Sequence, residues 1–536
     1  MKLRLFFDKL QVELKPPEEV ASKPVVLTSR SWTVVIVLLI LLSIGAWWFY
    51  FSQGLTLSYN DARSHLNVAR RVVDSLQPGA AQIGSVWLPL FHVLEIPFVG
   101  NDYLWHSGVA GSIISMISFV VGGVYVLKIG ERLHFDRPTL FISLGVYALN
   151  PNLLFLQSAP MTEALLITLT LATAFYFLEW VQTFQPISLI YTAFATFLAT
   201  ITRYDGWFLF GFVAVMVAFV GYKKKGLRFA EGNFILYCTL AGFGVFLWLL
   251  WNLVIFGHPL YFAVGPFSAK AQQDILLSEG RLITKGNFIY SFFIYLFATR
   301  YNLGNWLSIL FLGGLWYISW SKWYPTLIKL AIWVLMTPLF FNVLSLVAGH
   351  SAIHLPELPP YTWFNDRYGL MMLPAAAILV GIFVNGKRAA IILAICILLI
   401  QTQIMYVGNN IITIEDGVRG ASAEFQDEAG NWIRDNVQSG LILVAASSND
   451  ALMFRSGLPL KRFITEGAQK YWSTTLADPT TYADWVIMHK GDLVERNLNT
   501  NPAFLQNYRL VYHDDFSYVY KKELGSTKVI TKEQLP

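Results

Sequence analysis

Charge is what this chain has least of. Only 14% of its 536 residues are Asp, Glu, Lys or Arg, against about 25% in an ordinary soluble domain, and 55% are hydrophobic, which excludes a water-soluble globule for most of its length. Cysteine is nearly absent. Cys238 and Cys396 both lie inside apolar runs, so they read as small core residues and no disulfide framework is available. No Asn-x-Ser/Thr triplet occurs, which fits a bacterial or archaeal source. There is no Gly-x-Gly-x-x-Gly fingerprint and no phosphate-binding loop, so no nucleotide is assigned, and no nucleic acid is expected as a partner. Internal repeats and low-complexity stretches are also missing. A cleavable signal is not expected, because the first apolar run begins near Trp32, after a mostly polar arm, and is long enough to span a bilayer.

What is present is a series of long apolar runs. Taking about 20 residues per crossing, the chain predicts roughly eleven spans, near 32–51, 107–127, 139–157, 163–182, 187–202, 206–222, 234–256, 303–321, 326–348, 368–385 and 389–408. The aromatic stretch 288–302, interrupted by Arg300, reads as interfacial or re-entrant. Basic residues sit in the N-terminal arm 1–31 and in alternate loops: Lys128, Arg132 and Arg137; Lys223, Lys224, Lys225 and Arg228; Lys322 and Lys329; Lys387 and Arg388. Cytoplasmic loops carry such an excess, so the N-terminus is expected inside. The large loop 52–106 and everything after 408 then face outward. The tail 418–536 regains charge and alternates helix and strand patterns. Glu424 to Val437 reads as a helix, Leu441–Ala446 and Trp485–Met488 as strands, and Tyr508–Tyr512 with Phe516–Tyr520 as a hairpin. The expected architecture is a polytopic α-helical protein of the cell membrane, with a transmembrane domain over 32–408 and an extracytoplasmic soluble α/β domain over 418–536.

The ionisable residues near these spans gather at their outward ends. Asp61 follows the first span and opens an amphipathic helix, where it also occupies a capping position. His65 lies one helical turn further on. Met161-Thr162-Glu163, Thr202-Arg203-Tyr204-Asp205-Gly206-Trp207, Gly257-His258-Pro259 and Asn365-Asp366-Arg367-Tyr368 flank later spans. Charges cost about 2.5–3.5 kcal/mol in hydrocarbon on insertion scales, so such residues line cavities and find partners. A shared outward pocket satisfies them all. Each has a plainer alternative: a helix cap for Asp61, a macrodipole acid for Glu163, an interfacial ion pair for Arg203 with Asp205, a snorkelling anchor for Arg367, a solvated helix residue for His65 and a loop residue for His258. His350, His354 and Glu357 have a metal-like spacing, but Pro356, Pro359 and Pro360 argue against the helix it requires.

In their order and common face, these pieces, with Gly84-Ser85-Val86-Trp87-Leu88-Pro89-Leu90 and Gly257-His258-Pro259-Leu260-Tyr261, resemble the GT-C superfamily of polytopic glycosyltransferases. The likeness is to the protein O-mannosyltransferases and lipid A aminoarabinose transferases, over roughly 30–385. It implies a lipid-phosphate-linked sugar donor, a glycan, lipid or protein acceptor, and Asp61 as the catalytic acid of the first outer loop. Where the family often shows a second adjacent acid, Asn60 stands here, so Asp102 or Glu163 would have to serve. With Asp61 and Glu163 as catalytic candidates, His65, Asp102, Arg203, Tyr204, Asp205, His258, Arg367 and Tyr368 are expected to bind substrate. Arginine or a divalent metal would meet the charge growing on the leaving phosphate. One carboxylate with arginine suggests inversion, and Glu163 as a nucleophile stays open. The competing reading is a secondary transporter or flippase, which usually shows inverted repeats and polar groups near the midplane.

Overall fold

In the computed structural model, which describes residues 26–266, 268–408, 410–420, 427–500 and 506–523, the chain is a helical membrane domain carrying a small α/β domain at one end. Among the described residues, eight helices are long and apolar enough to cross a membrane: Ser29–Ser52, Val109–Arg132, Glu163–Thr183, Asp205–Lys225, Leu227–Phe256, Thr326–Ala348, Asp366–Val384 and the run from Arg388. These answer to eight of the predicted spans, and the protein is multi-pass.

The other three predicted spans are shorter helices, each for a readable reason. The run 139–157 breaks at Asn150-Pro151: Asn150 accepts from Leu153 N at 3.0 Å and starts a new helix, Pro151–Leu156. Proline there has no N–H to continue the preceding ladder. Pro186–Thr200 has 15 residues and Asn305–Trp320 has 16, about 22–24 Å of helix against a hydrocarbon core of about 30 Å. The aromatic helix Phe288–Leu303 lies across one end of the bundle. Gly286 N donates to Val347 O at its start, and Asn302 Nδ2 donates to Asp366 O at its finish, so both its ends meet the same end of neighbouring spans.

Small residues let the helices close up. A Cβ on Gly314 would stand 2.2 Å from Leu379 O, and one on Gly369 would stand 2.3 Å from Ala298 C. Gly369→Ala should therefore push Asp366–Val384 away from Phe288–Leu303. A destabilisation of about 1–3 kcal/mol is expected, as for other overpacked cores. It is read as a lowered unfolding midpoint in a fixed detergent, and an unchanged midpoint would show that this contact yields.

The soluble domain builds one five-stranded sheet, order β2-β1-β3-β5-β4, from β1 Ile442–Leu443, β2 Phe463–Ile464, β3 Trp485–His489, β4 Tyr508–His513 and β5 Ser517–Lys522. β1 pairs in parallel with β2 and β3, and the β4–β5 hairpin joins antiparallel through β5. The predicted strand Leu441–Ala446 shrinks to two residues because Ala446 already starts the helix Ala446–Ser456. The helix predicted from Glu424 is described from Asp427 to Asn436; residues 421–426 lie outside the described residues. One face of the sheet shares a core with the membrane domain: Ile442, Val444, Phe463 and Trp485 cluster with Leu66, Ala69, Val99 and Trp105. Of the N-terminal arm 1–31, residues 1–25 lie outside the described residues.

Candidate functional site

The helix Asn60–Arg71 is the scaffold of the site. Tyr59, in extended conformation, is its N-cap and makes no side-chain capping bond. Asp61 thus stands inside the first turn, not at the cap expected for it, and its carboxylate turns to Arg367. Asn60, Asp61, Ser64, His65, Val68 and Arg71, at helical spacing, line one cavity of about 930 Å³, while Leu66 and Ala69 on the other side enter the shared core.

Three other segments converge on that cavity. Met161, Thr162 and Glu163 open one span, Thr202 to Asp205 form the turn between two others, and Asn365, Arg367 and Tyr368 begin a third. Arg367 is the hub. Its Nη2 donates to Asp61 Oδ2, its Nε donates to Glu163 Oε1 at 3.1 Å, and its Nη1 lies 3.6 Å from Asp416 Oδ2. Arg203 Nη1 donates to the same Glu163 oxygen at 3.2 Å and to Thr162 Oγ1 at 3.1 Å, and its Nε reaches Asp205 Oδ2 at 3.3 Å. The Tyr368 ring lies 4.9 Å from the Arg203 guanidinium carbon and 5.3 Å from that of Arg367. Burial is graded across this network. The Glu163 and Arg367 side chains are 1% and 3% exposed, Arg203 19%, and Asp61 36%. Asp61 is therefore the acid at the mouth, and Glu163 lies beneath the two guanidiniums.

Of the other expected residues, Tyr204 lines the cavity and donates to Val86 O at 2.9 Å, tying the Gly84–Leu90 stretch to the turn. His65 lines it too. Its Nδ1 is 2.8 Å from His92 Nε2, and its ring is 4.4 Å from that of Trp87. Burial, with the Arg203 and Arg367 charges, pushes the His65 imidazole down to about 3, so it is neutral in the physiological range. Two expected residues are not brought in. Asp102, with a side chain 76% exposed, pairs with Arg70 at 2.6 Å away from the cavity. His258 is exposed and folds back on its own turn, accepting from Leu260 N at 3.2 Å, while Tyr261 reaches the cavity instead. The three residues with metal-like spacing are dispersed: His350 lines the cavity, His354 Nε2 contacts Arg281 O, and Glu357 accepts from Tyr301 OH. Among the described residues no group of three or more His, Cys, Asp or Glu side chains is placed to hold a metal ion.

Asp416 and Tyr59 escaped sequence reading. Asp416 is buried in the short helix Ile412–Arg419, between the last span and the soluble domain, and accepts from Tyr59 OH at 3.2 Å. The signal was an acidic pair, Glu415-Asp416, on an amphipathic turn, which is equally the signature of a solvated loop.

No protein-family model and no curated sequence matches the chain. Among solved structures, ArnT from Cupriavidus metallidurans bound to undecaprenyl phosphate is similar with a TM-score of 0.57 and 12% identity, over 92% of this chain and 98% of that one. Its apo form gives 0.55 and 13%, over 91% and 98%. The oligosaccharyltransferase AglB from Archaeoglobus fulgidus, in complex with an inhibitory peptide and a dolichol-phosphate, gives 0.45 and 10%, over 92% of this chain and 74% of that one. The chain shares the fold of ArnT over nearly the whole of both chains.

Proposed function

We propose that the chain is a glycosyltransferase that moves a sugar from a polyprenyl phosphate to an acceptor hydroxyl at the outer face of the membrane. The observation that carries this is the gathering of two arginines, Arg203 and Arg367, in one cavity of about 930 Å³ with a partly exposed acid, Asp61, paired to Arg367. A guanidinium fork suits the phosphate oxygens of the donor. The structure of ArnT is of a complex with undecaprenyl phosphate, and its shared fold supports the same lipid class here.

The acids Asp61, Glu163, Asp205 and Asp416 outnumber the arginines Arg203 and Arg367, and all three nitrogens of the Arg367 guanidinium face carboxylates, so a phosphate that binds Arg367 displaces one of them. Asp61 is the most exposed member of the Arg367 cluster and is the one placed to yield. The acceptor O–H then attacks the anomeric carbon. Its proton passes to Asp61, the bond from that carbon to the phosphate oxygen breaks, and the electron pair leaves on the lipid phosphate, held by Arg203 and Arg367. Glu163 sits beneath both arginines, which favours a positioning role over attack on the sugar, and single displacement with inversion follows. His65, Tyr204 and Tyr368 would flank the sugar. In a lipid nanodisc, the protein should bind undecaprenyl phosphate and transfer radiolabel from an undecaprenyl-phosphate sugar to an envelope extract. Undecaprenyl phosphate binding that survives Arg203→Ala and Arg367→Ala together would overturn the reading.

The basic loops lie at the helix ends away from the cavity, which supports a cytoplasmic N-terminus and an outward cavity. In a background with Cys238 and Cys396 replaced by serine, Arg434→Cys should react with an impermeant maleimide in intact cells or spheroplasts. Lys223→Cys should react only after lysis. The reverse pattern would place the site in the cytoplasm.

A further inference from the structure

The cavity has two ends of different chemistry. From Asp61 to Arg71 the scaffold helix rises about 15 Å. At its far end the wall comes from the soluble domain: Ser447, Asp450, Glu466, Gln469 and Trp472, beside Gln82 of the first loop, whose Nε2 donates to Gly467 O at 2.9 Å. The cation at this end, Arg71, is already engaged, its Nη1 on Asp450 Oδ1 at 2.7 Å with both side chains under 15% exposed. Asn67 Nδ2 fixes the same residue through Asp450 O, also at 2.7 Å.

Two helices start at this end: in Gln469–Ala477 the Lys470 N–H donates to Gln77 Oε1 at 3.1 Å, and the N-terminus of Ala446–Ser456 is filled by a carboxylate of the same domain. Ala446 N donates to Glu466 Oε2 at 2.8 Å, and Ser447 N and Oγ donate to Glu466 Oε1 at 3.3 and 2.9 Å. A phosphate entering this end would meet two carboxylates, an occupied helix terminus and a neutralised arginine. Hydroxyl groups would meet acceptors, and the ring of Trp472 offers a flat apolar face, with the exposed Gln469 three residues before it on the same helix. Apolar rings with a few fixed polar groups are what a sugar needs, since its C–H face is apolar and its rim is made of hydroxyls.

We infer that the soluble domain forms the acceptor subsite and that the acceptor is an uncharged glycan, not a phosphorylated headgroup. This rests on the transferase reading above and adds the substrate class. The arginine end takes the donor phosphate, and the glycan hydroxyl approaches Asp61 from the soluble-domain side.

The test uses saturation-transfer NMR and titration calorimetry on the full-length protein in nanodiscs. The probes are neutral tetrasaccharides (chitotetraose and maltotetraose), a glucosamine disaccharide bisphosphate, a Ser/Thr-rich peptide and undecaprenyl phosphate. A neutral tetrasaccharide should bind. Trp472→Ala should weaken it about tenfold, as loss of a central aromatic contact does elsewhere, and Gln469→Ala by a smaller factor. Undecaprenyl phosphate should bind both variants like the parent, which also reports that they are folded. Preference for the bisphosphate, peptide binding that Trp472→Ala weakens, or no binding of either neutral glycan would overturn the proposal. Glycan binding without undecaprenyl phosphate binding would instead sink the transferase reading and leave the subsite standing.

Discussion

Asp61→Asn should lower the transfer rate by about 10²-fold or more, with folding and undecaprenyl phosphate binding intact. The amide keeps the size of the side chain and cannot accept the acceptor's proton. The plainer explanation of this acid, a helix cap, makes a different forecast. An Asn cap is about as good as Asp, so a capping role would leave the rate unchanged. The geometry already weakens that explanation, since Tyr59 holds the capping position and the Asp61 carboxylate reaches Arg367. Stability should hardly move. Asp61 is 36% exposed, where an ion pair contributes about 0–1 kcal/mol, and Arg367 keeps Glu163 and Asp416. Arg367→Lys should separate from it in the same assay, because a lysine keeps the charge and loses the fork. It should raise the donor KM, and the rate at saturating donor should fall less than in Asp61→Asn. Wild-type turnover by Asp61→Asn, at matched protein levels, would remove Asp61 from the chemistry.

The sequence carried the membrane class because twenty-residue apolar runs have few other uses. It also carried the gathering of acids and arginines at one end, since charge near hydrocarbon is costly and its placement is therefore informative. Contacts made at long range were not legible. Asp416 meets Arg367 only because the chain folds back after its last span, and nothing local to Ile412–Arg419 announces this. Asp102 looked equivalent to Glu163 as a second acid, yet Arg70, on the same scaffold helix as Asp61, takes it outward. Span lengths were overestimated where a buried Asn-Pro pair or a short helix hides inside a continuous apolar run, as at Asn150-Pro151. The cavity wall supplied by the soluble domain was invisible for the same reason as Asp416. Ser447, Glu466 and Trp472 lie close to four hundred residues away from Asp61 in sequence and reach the cavity through the fold.

Glu163→Ala should cost the most stability of any change in the site, about 3 kcal/mol, the lower end of the loss seen when one partner of a buried ion pair is removed. Glu163 Oε1 accepts from both Arg203 Nη1 and Arg367 Nε, and the side chain is 1% exposed. Its removal leaves two neighbouring guanidiniums in a poorly hydrated place with no shared counter-charge. Each retains another acid, Asp205 for Arg203 and Asp61 with Asp416 for Arg367, and this holds the loss at the lower end of the range. Glu163→Gln should fall between parent and alanine, since an amide oxygen can still accept from both arginines but carries no charge. Activity sorts the roles further. A buttress for the arginines predicts that the glutamine variant keeps much of its rate while its donor KM rises. A nucleophile for double displacement predicts a rate collapse and a retained anomeric configuration in the parent's product. A double-mutant cycle of Glu163→Ala with Arg203→Ala should show coupling of 0.5 kcal/mol or more, the range found for residues sharing one network. The readouts are unfolding midpoints in one detergent and the anomeric configuration of the transferred sugar. An alanine variant as stable as the parent would mean that the arginines do not depend on Glu163 for their place in the site.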